Sequence, residues 1–118
     1  MGSQDVRVQV QVQGLGPKFL LRVTLQNGGT QPVIQARLLF SFDADLYVMG
    51  HDVNSKQCIV VPFLLPGPKH TIEAEVLSVD PQGRSGSLLL LLYANNDSSN
   101  ALPMLSATIR MPISELSV

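Results

Sequence analysis

Apolar and polar residues alternate with a period of two near the start of the chain. The first apolar set consists of valines separated by Arg and Gln: Val6, Val8, Val10 and Val12. After the break Gly14-Leu15-Gly16-Pro17, the alternation resumes with a second set: Phe19, Leu21, Val23 and Leu25. Successive side chains of a β-strand point to opposite faces, so this pattern predicts two neighbouring strands, each with one buried face.

Later segments also carry strand patterns. One predicted strand runs from Val33 to Phe42, with an inward face formed by Ile34, Ala36, Leu38, Phe40 and Phe42. Proline cannot donate a ladder hydrogen bond, so Pro62 places the apolar run 57–65 at a sheet edge or at a bulge. The strand predicted at 71–79 changes parity at Leu77 and Val79, which indicates a bulge or a buried far end.

Further strand patterns at 46–49, 87–94 and 102–111 bring the predicted number to seven or eight. Short strands about 8–12 residues apart, with turn-forming residues between them, are typical of an all-β fold, either an antiparallel sandwich or a small barrel. A chain of 118 residues is about the size of one domain. We expect an artificial expression start at 1–4, a single domain over 5–113 and a C-terminal tail at 114–118.

Charged residues make up only 14% of the chain, below the roughly 25% of an average soluble domain. A surface poor in charge fits a domain that lies against neighbours, and a polar surface rich in Gln, Asn and Ser is the alternative. The net charge is −1 and the basic residues are scattered, so we expect no nucleic-acid partner. The longest apolar run, Leu88 to Ala94, is far shorter than the ~20 residues of a membrane span, so we expect no direct membrane insertion.

No constellation of residues predicts catalysis, a metal site or a bound cofactor. His51 adjoins Asp52 in a predicted loop, an arrangement that does not direct an imidazole toward a serine. Glu73 and Glu75 share the polar face of one strand, as solvated carboxylates do. One Cys and two His lack the spacing of a metal site. We therefore expect neither enzymatic activity nor a cofactor.

Cys58 is the only cysteine, and it begins the apolar run Cys58-Ile59-Val60-Val61. It has no partner for a disulfide within the chain, and we expect a buried, unreactive thiol. A single cysteine and the lack of a recognisable signal peptide favour a reducing, cytosolic compartment. The sequon Asn96-Asp97-Ser98 is then interpreted as a chance match in a polar loop.

Several connecting segments resemble, in the same order, those of a known family. They are Val12-Gln13-Gly14-Leu15-Gly16-Pro17, Leu25-Gln26-Asn27, Gln31-Pro32-Val33, Val61-Pro62-Phe63-Leu64-Leu65-Pro66-Gly67, Leu105-Ser106-Ala107 and Met111-Pro112. Together they resemble the C-terminal γ-adaptin-ear-like (GAE) domain of the first Bardet–Biedl syndrome protein, over about residues 8–112. The resemblance implies an immunoglobulin-like antiparallel β-sandwich of seven to eight strands.

The family also implies a function, because that protein is a subunit of the BBSome, the coat-like complex that traffics membrane proteins to and from cilia. The implied role is a scaffolding domain that contacts other BBSome subunits, with ciliary membrane-protein cargo as a further partner. Its implied location is the cytoplasm, the cilium and the ciliary base, peripheral to the membrane through the complex.

Two other functions stay open at this point. Ear domains of clathrin adaptors bind acidic-hydrophobic peptides against a basic rim, and this chain shows no basic cluster. A peptide-binding ear that recruits accessory factors or cargo tails is therefore the alternative, and an unrelated β-sandwich carrier or chaperone-like module is a third reading.

A candidate contact surface comes from the run 88–92, which has no polar residue. A two-layer sandwich covers only one face of a strand. Ser87 and Tyr93 share the parity of Leu89 and Leu91, so we expect Leu89, Leu91 and Tyr93 to face outward. We expect them to form a protein-contact patch, filled by a partner subunit or, in the isolated domain, by a second copy. Alternatively, a loop or a neighbouring side chain of the same domain covers these three residues.

Overall fold

In the part of the chain that the structure describes, eight antiparallel strands form two four-stranded sheets that face each other across one hydrophobic core. The computed structural model describes residues 5–50, 56–94 and 102–115. The strands are β1 (Val6–Gln13), β2 (Lys18–Asn27), β3 (Val33–Ser41), β4 (Tyr47–Val48), β5 (Cys58–Leu64), β6 (Lys69–Ser78), β7 (Ser87–Tyr93) and β8 (Leu105–Arg110). The described residues contain no helix, and hence none long and apolar enough to cross a membrane.

The strand order is β1-β2-β6-β4 in the first sheet and β5-β3-β7-β8 in the second sheet. The neighbours β1-β2-β6 and β3-β7-β8 correspond to strands A-B-E and C-F-G of an immunoglobulin domain. This arrangement confirms the predicted immunoglobulin-like antiparallel sandwich and excludes the small barrel.

The alternating segments at the start of the chain form β1 and β2, as predicted. Phe19, Leu21, Val23 and Leu25 are buried, and β2 pairs with β6 without interruption from Lys18 opposite Leu77 to Gln26 opposite Lys69. The valines of β1 are only half-buried because β1 is an edge strand of the first sheet.

The core is made of side chains from the inner faces of both sheets. The second sheet contributes Leu88, Leu90 and Leu92 of β7, all without exposed surface, beside Leu38 and Phe40 of β3. Burial of one leucine side chain stabilises the fold by about 1.5–3 kcal/mol, so these strands supply much of the driving force for folding.

The predicted inward position of Ile34 is wrong. Ile34 is 51% exposed, and Val33 takes the buried position beside it. The cause is a break in alternation at Gln35, which adopts a φ of 50° in the left-handed region. The alternation of buried and exposed side chains is also interrupted in the paired strand β5. Leu64 is buried opposite Val33, and Phe63 is exposed opposite Ile34.

Two further expectations are corrected in β6 and β8. The parity change expected at Leu77 and Val79 does not occur, because Ala74, Val76 and Ser78 stay buried in unbroken alternation. Leu77 is half-buried and Val79 is exposed. The last strand begins at Leu105 rather than Leu102, whose side chain is exposed. Pro62 does lie in an edge strand, as predicted.

Candidate protein-contact face

The outward side chains of β7 follow the predicted parity. Leu89 and Leu91 alternate with the buried Leu88, Leu90 and Leu92. Leu89 is 39% exposed, and Leu91 and Tyr93 are partly exposed. No loop in the described part of the chain covers these side chains completely.

Neighbouring strands extend this apolar surface, because residues paired across an antiparallel ladder lie on the same face. Leu39 of β3 pairs with Leu91 on one side and with Cys58 of β5 on the other. Arg37 pairs in the same way with Tyr93 and with Val60, whose side chain is 57% exposed. We call this surface the contact face: Arg37, Leu39, Cys58, Val60, Leu89, Leu91 and Tyr93.

A shallow hollow of about 250 Å³ lies on the contact face and is lined by Arg37, Leu39, Cys58 and Tyr93. The Arg37 guanidinium lies 5.8 Å from the centroid of the Tyr93 ring, close enough for a cation–π interaction. That contact holds the planar group over the aromatic side chain and leaves Arg37 exposed. The face is thus apolar with one fixed positive charge.

The predicted burial of Cys58 is wrong, since its side chain is exposed on the contact face. The apolar run around Cys58 gave no periodicity from which to choose an inner parity. Its pairing with Leu39, an outward residue of β3, determines the side on which it lies. The exposed thiol provides a chemical probe on the part of the contact face that β5 contributes.

A second apolar surface, the end patch, was missed by the sequence analysis. It surrounds a hollow of about 350 Å³ lined by Pro62, Phe63, Leu65, Pro68 and His70. Phe63 and Leu65 are more than half exposed, and Ile34 lies opposite Phe63. The available signal was Pro62, which marked an irregular strand without showing which side chains would turn outward.

Comparison with known proteins places the chain in a family. Residues 6–117 match the family model "Bardet-Biedl syndrome 1 protein, GAE domain". The chain belongs to this GAE domain family. It is similar to "BBSome complex member BBS1" of Mus musculus, 34% identical over 113 residues, and to the Homo sapiens protein of that name, 33% identical over 113 residues. Each match covers 95% of this chain and 18% of the relative, so the chain spans less than a fifth of either protein.

Among solved structures, β-glucosidase 3B from Thermotoga neapolitana in complex with glucose aligns with 95% of this chain and 16% of its own. The TM-score is 0.41 and the identity is 13%, and this distant likeness says nothing about the function of the GAE domain.

The first sheet of this GAE domain has an outer face of a different kind. Arg22 donates to Glu73 at 2.8 Å, and Lys18 lies 3.6 Å from Glu75. The predicted solvated role of the two glutamates thus includes ion pairs with cations on the neighbouring strand. Thr24 and Thr71 lie opposite each other on the same face.

The other residues that the sequence analysis weighed do not come together. His70 is exposed at the start of β6, whereas His51, Asp52 and the sequon at Asn96 lie outside the described residues. Within the described residues there is no group of three His, Cys, Asp or Glu side chains arranged to hold a metal ion.

Proposed function

We propose that this chain is a non-catalytic protein-contact domain of a BBSome subunit, and that the contact face is its docking surface. The observation that supports this proposal is an apolar outer surface that spans β5, β3 and β7, above a core that is already complete. Leu90 and Leu92 fill the interior without exposed surface, so Leu89, Leu91 and Tyr93 are not needed to close it. Apolar patches of this kind are typical of surfaces that bind other proteins.

The partners we propose are other BBSome subunits, with ciliary membrane-protein cargo as a further partner. Support comes from family membership and from the relatives, which are BBSome complex members. The domain would then act in the cytoplasm, at the cilium and the ciliary base, and reach the membrane only through the complex. A permanent subunit contact suits a flat apolar face, because obligate interfaces are more apolar than transient ones.

Co-expression of the 118-residue chain with the other BBSome subunits of the same organism tests this proposal. Leu91→Lys should abolish co-elution in size-exclusion chromatography, since a charge would enter the apolar contact without a partner. Thr71→Lys, an exposed position on the first sheet, is the matched control and should co-elute normally. Equal retention of both variants would refute the proposed surface.

Thiol labelling gives a second readout of the same contact. Cys58 should react readily with a maleimide dye in the free domain and slowly in the assembled complex, because the partner covers the contact face. The control is Cys58→Ser combined with Thr71→Cys, which moves the thiol to the outer face of the first sheet and should label equally in both states. Undiminished labelling of Cys58 in the complex would contradict the assignment.

A peptide-binding ear is the second candidate function, and the observation that favours it is the outer edge of β5, which pairs with no strand among the described residues. Phe40 donates to the carbonyl of Gln57, so the pairing alternation directs the backbone groups of Cys58 and Val60 toward the open edge. An extended peptide would add a strand there and place a side chain in the end patch. Phe63→Lys should then weaken peptide binding, whereas subunit assembly through the contact face should be unaffected.

A further inference from the structure

Charge is distributed unevenly between the two sheets. The strands of the second sheet contain two arginines, Arg37 and Arg110, and no Asp or Glu. On the first sheet, by contrast, the outward Arg22 and Lys18 each have a glutamate on the neighbouring strand.

Arg37 lies within the apolar part of the contact face, whereas Arg110 lies at its margin. Val60 and Tyr93 are the cross-strand neighbours of Arg37, and Leu39 is the next outward residue on its own strand. Arg110 is in the edge strand β8, opposite Ser87. Among the described residues no carboxylate forms an ion pair with Arg37, and its guanidinium instead lies over the face of the Tyr93 ring.

A partner that covers the contact face must remove the Arg37 guanidinium from water. Burial of a charge without a counter-charge is strongly unfavourable, and the ring of Tyr93 offsets only a small part of that cost. We propose that the partner protein supplies a carboxylate that pairs with Arg37, surrounded by apolar side chains that pack on Leu39, Leu91 and Val60. This inference rests on the proposed function and specifies the chemistry of the partner surface.

The same charge distribution disfavours a second copy of the chain as the occupant. Two contact faces brought together would place Arg37 of one copy against strands that contain no carboxylate. The described acidic residues lie in the first sheet, in the connections and near the chain ends: Asp5, Asp43, Asp45, Glu73, Glu75, Asp80 and Glu115. The favoured occupant is therefore a different protein with an acidic residue in an apolar surface.

Affinity measurements on Arg37 variants test this inference. The probe is the purified assembly of the other BBSome subunits, immobilised for biolayer interferometry against the 118-residue chain. Arg37→Leu keeps an apolar contact face and removes the charge. If the partner has a carboxylate opposite Arg37, that carboxylate is left buried and unpaired, and binding should weaken at least tenfold. Arg37→Glu should weaken it further, and Arg37→Lys least.

If the partner has no carboxylate opposite Arg37, Arg37→Leu should have the opposite effect on the binding affinity. The variant would then bind as tightly as the parent chain or more tightly, because an unpaired charge no longer has to be buried. That result would overturn the inference, while a loss of binding in Leu91→Lys would still support the proposed function. Arg7→Leu makes the same charge change on the edge strand of the first sheet, where the side chain is 75% exposed, and should alter affinity less than threefold.

Cross-linking locates the carboxylate directly. A carbodiimide joins a lysine amine to a carboxylate in contact with it, so Arg37→Lys in the assembled complex should give one cross-linked peptide containing an Asp or Glu of a partner subunit. A cross-link to a second copy of the chain, or none in a variant that still binds, would contradict the inference. A concentration-dependent dimer in analytical ultracentrifugation that protects Cys58 from labelling would contradict it as well.

Discussion

The two sheets have similar inner faces and opposite outer faces. On the inside, both present fully buried aliphatic side chains, such as Val23 and Leu25 from the first sheet and Leu88 and Leu90 from the second. On the outside, the first sheet carries threonines and the ion pair between Arg22 and Glu73. The outer face of the second sheet is apolar across three strands, and the strands of this sheet contain no Asp or Glu.

This difference clarifies the low charge of the sequence. The composition allowed either a surface that lies against neighbours or a polar surface rich in Gln, Asn and Ser, and the outer face of the second sheet fits the first description. The first sheet instead carries paired charges on its outer face, Arg22 with Glu73 and Lys18 with Glu75. An average over 118 residues conceals this division, because charge is a property of faces and not of the chain as a whole.

The largest expected effect separates the inner from the outer face of β7. Leu90→Lys should unfold the domain, with a loss above about 4 kcal/mol, because an unpaired charge would enter the core. Leu89→Lys should change stability by less than about 1 kcal/mol, since its side chain is partly exposed. Urea denaturation followed by circular dichroism measures both. If the two substitutions destabilise the domain equally, the outer face of the second sheet is buried, and the proposed difference between the inner and outer faces of β7 is wrong.

Sequence reasoning succeeded where alternation was regular and failed where both parities were apolar. The valine pattern of β1 and the assignment of Leu90 inward and Leu89 outward in β7 were correct. The positions of Ile34 and Cys58 were wrong, since the strands that contain them carry apolar residues on both faces. Only the register between β3 and β5, a contact between distant segments, decides which side chains turn outward.

The contact face was predicted only in part for the same reason. Its β7 portion follows from one segment, whereas Arg37, Leu39 and Cys58 join it through pairing with other strands. At the end of β2, the side chain of Asn27 is buried and bonded to a carbonyl of the opposite sheet. Local patterns contain no information about such a link.

Asn27 provides the second test, which asks whether polar bonds add to the apolar core in joining the sheets. Its amide donates to the carbonyls of Leu64 at 3.0 Å and Gln31 at 2.8 Å, and its oxygen accepts from the Gly29 amide at 2.9 Å. Asn27→Ala should lower the free energy of unfolding by about 2–4 kcal/mol, because the buried groups that bond to Asn27 lose their hydrogen bonds. The neighbouring Gln26→Ala, which removes an exposed bond to Gly67, should cost less than about 1 kcal/mol in the same urea titration. Similar costs for both variants would show that Asn27 does not link the sheets.

A smaller effect, confined to acid, is expected at Asp80 in the connection between β6 and β7. The side-chain hydrogen bonds from Arg84 lower the pKa of Asp80 from 3.8 to about 2. The stability from this lowered pKa is fully present above about pH 4 and is lost as the pH falls through about 2. Arg84→Ala should therefore be less stable than the parent chain at pH 6. The difference in their free energies of unfolding should become smaller between pH 4 and 2. If urea titrations give a constant difference in the free energy of unfolding over that pH range, the assignment is wrong. In an Asp80→Asn background, the difference caused by Arg84→Ala should not narrow as the pH falls.

The smallest expected effect compares one arginine from each outer face. Arg22 and Glu73 form an exposed ion pair, so Arg22→Ala should cost about 0.2–1 kcal/mol, and the cost should shrink in 1 M salt. Arg37 has no carboxylate partner among the described residues, so any cost of Arg37→Ala in the free domain should come from its contact with Tyr93 and should not depend on an ion pair. Thermal or urea unfolding at low and high salt distinguishes the two. A salt-sensitive loss at Arg37 in the free domain would reveal a counter-charge within the chain, and the outer face of the second sheet would then be electrostatically complete without a partner.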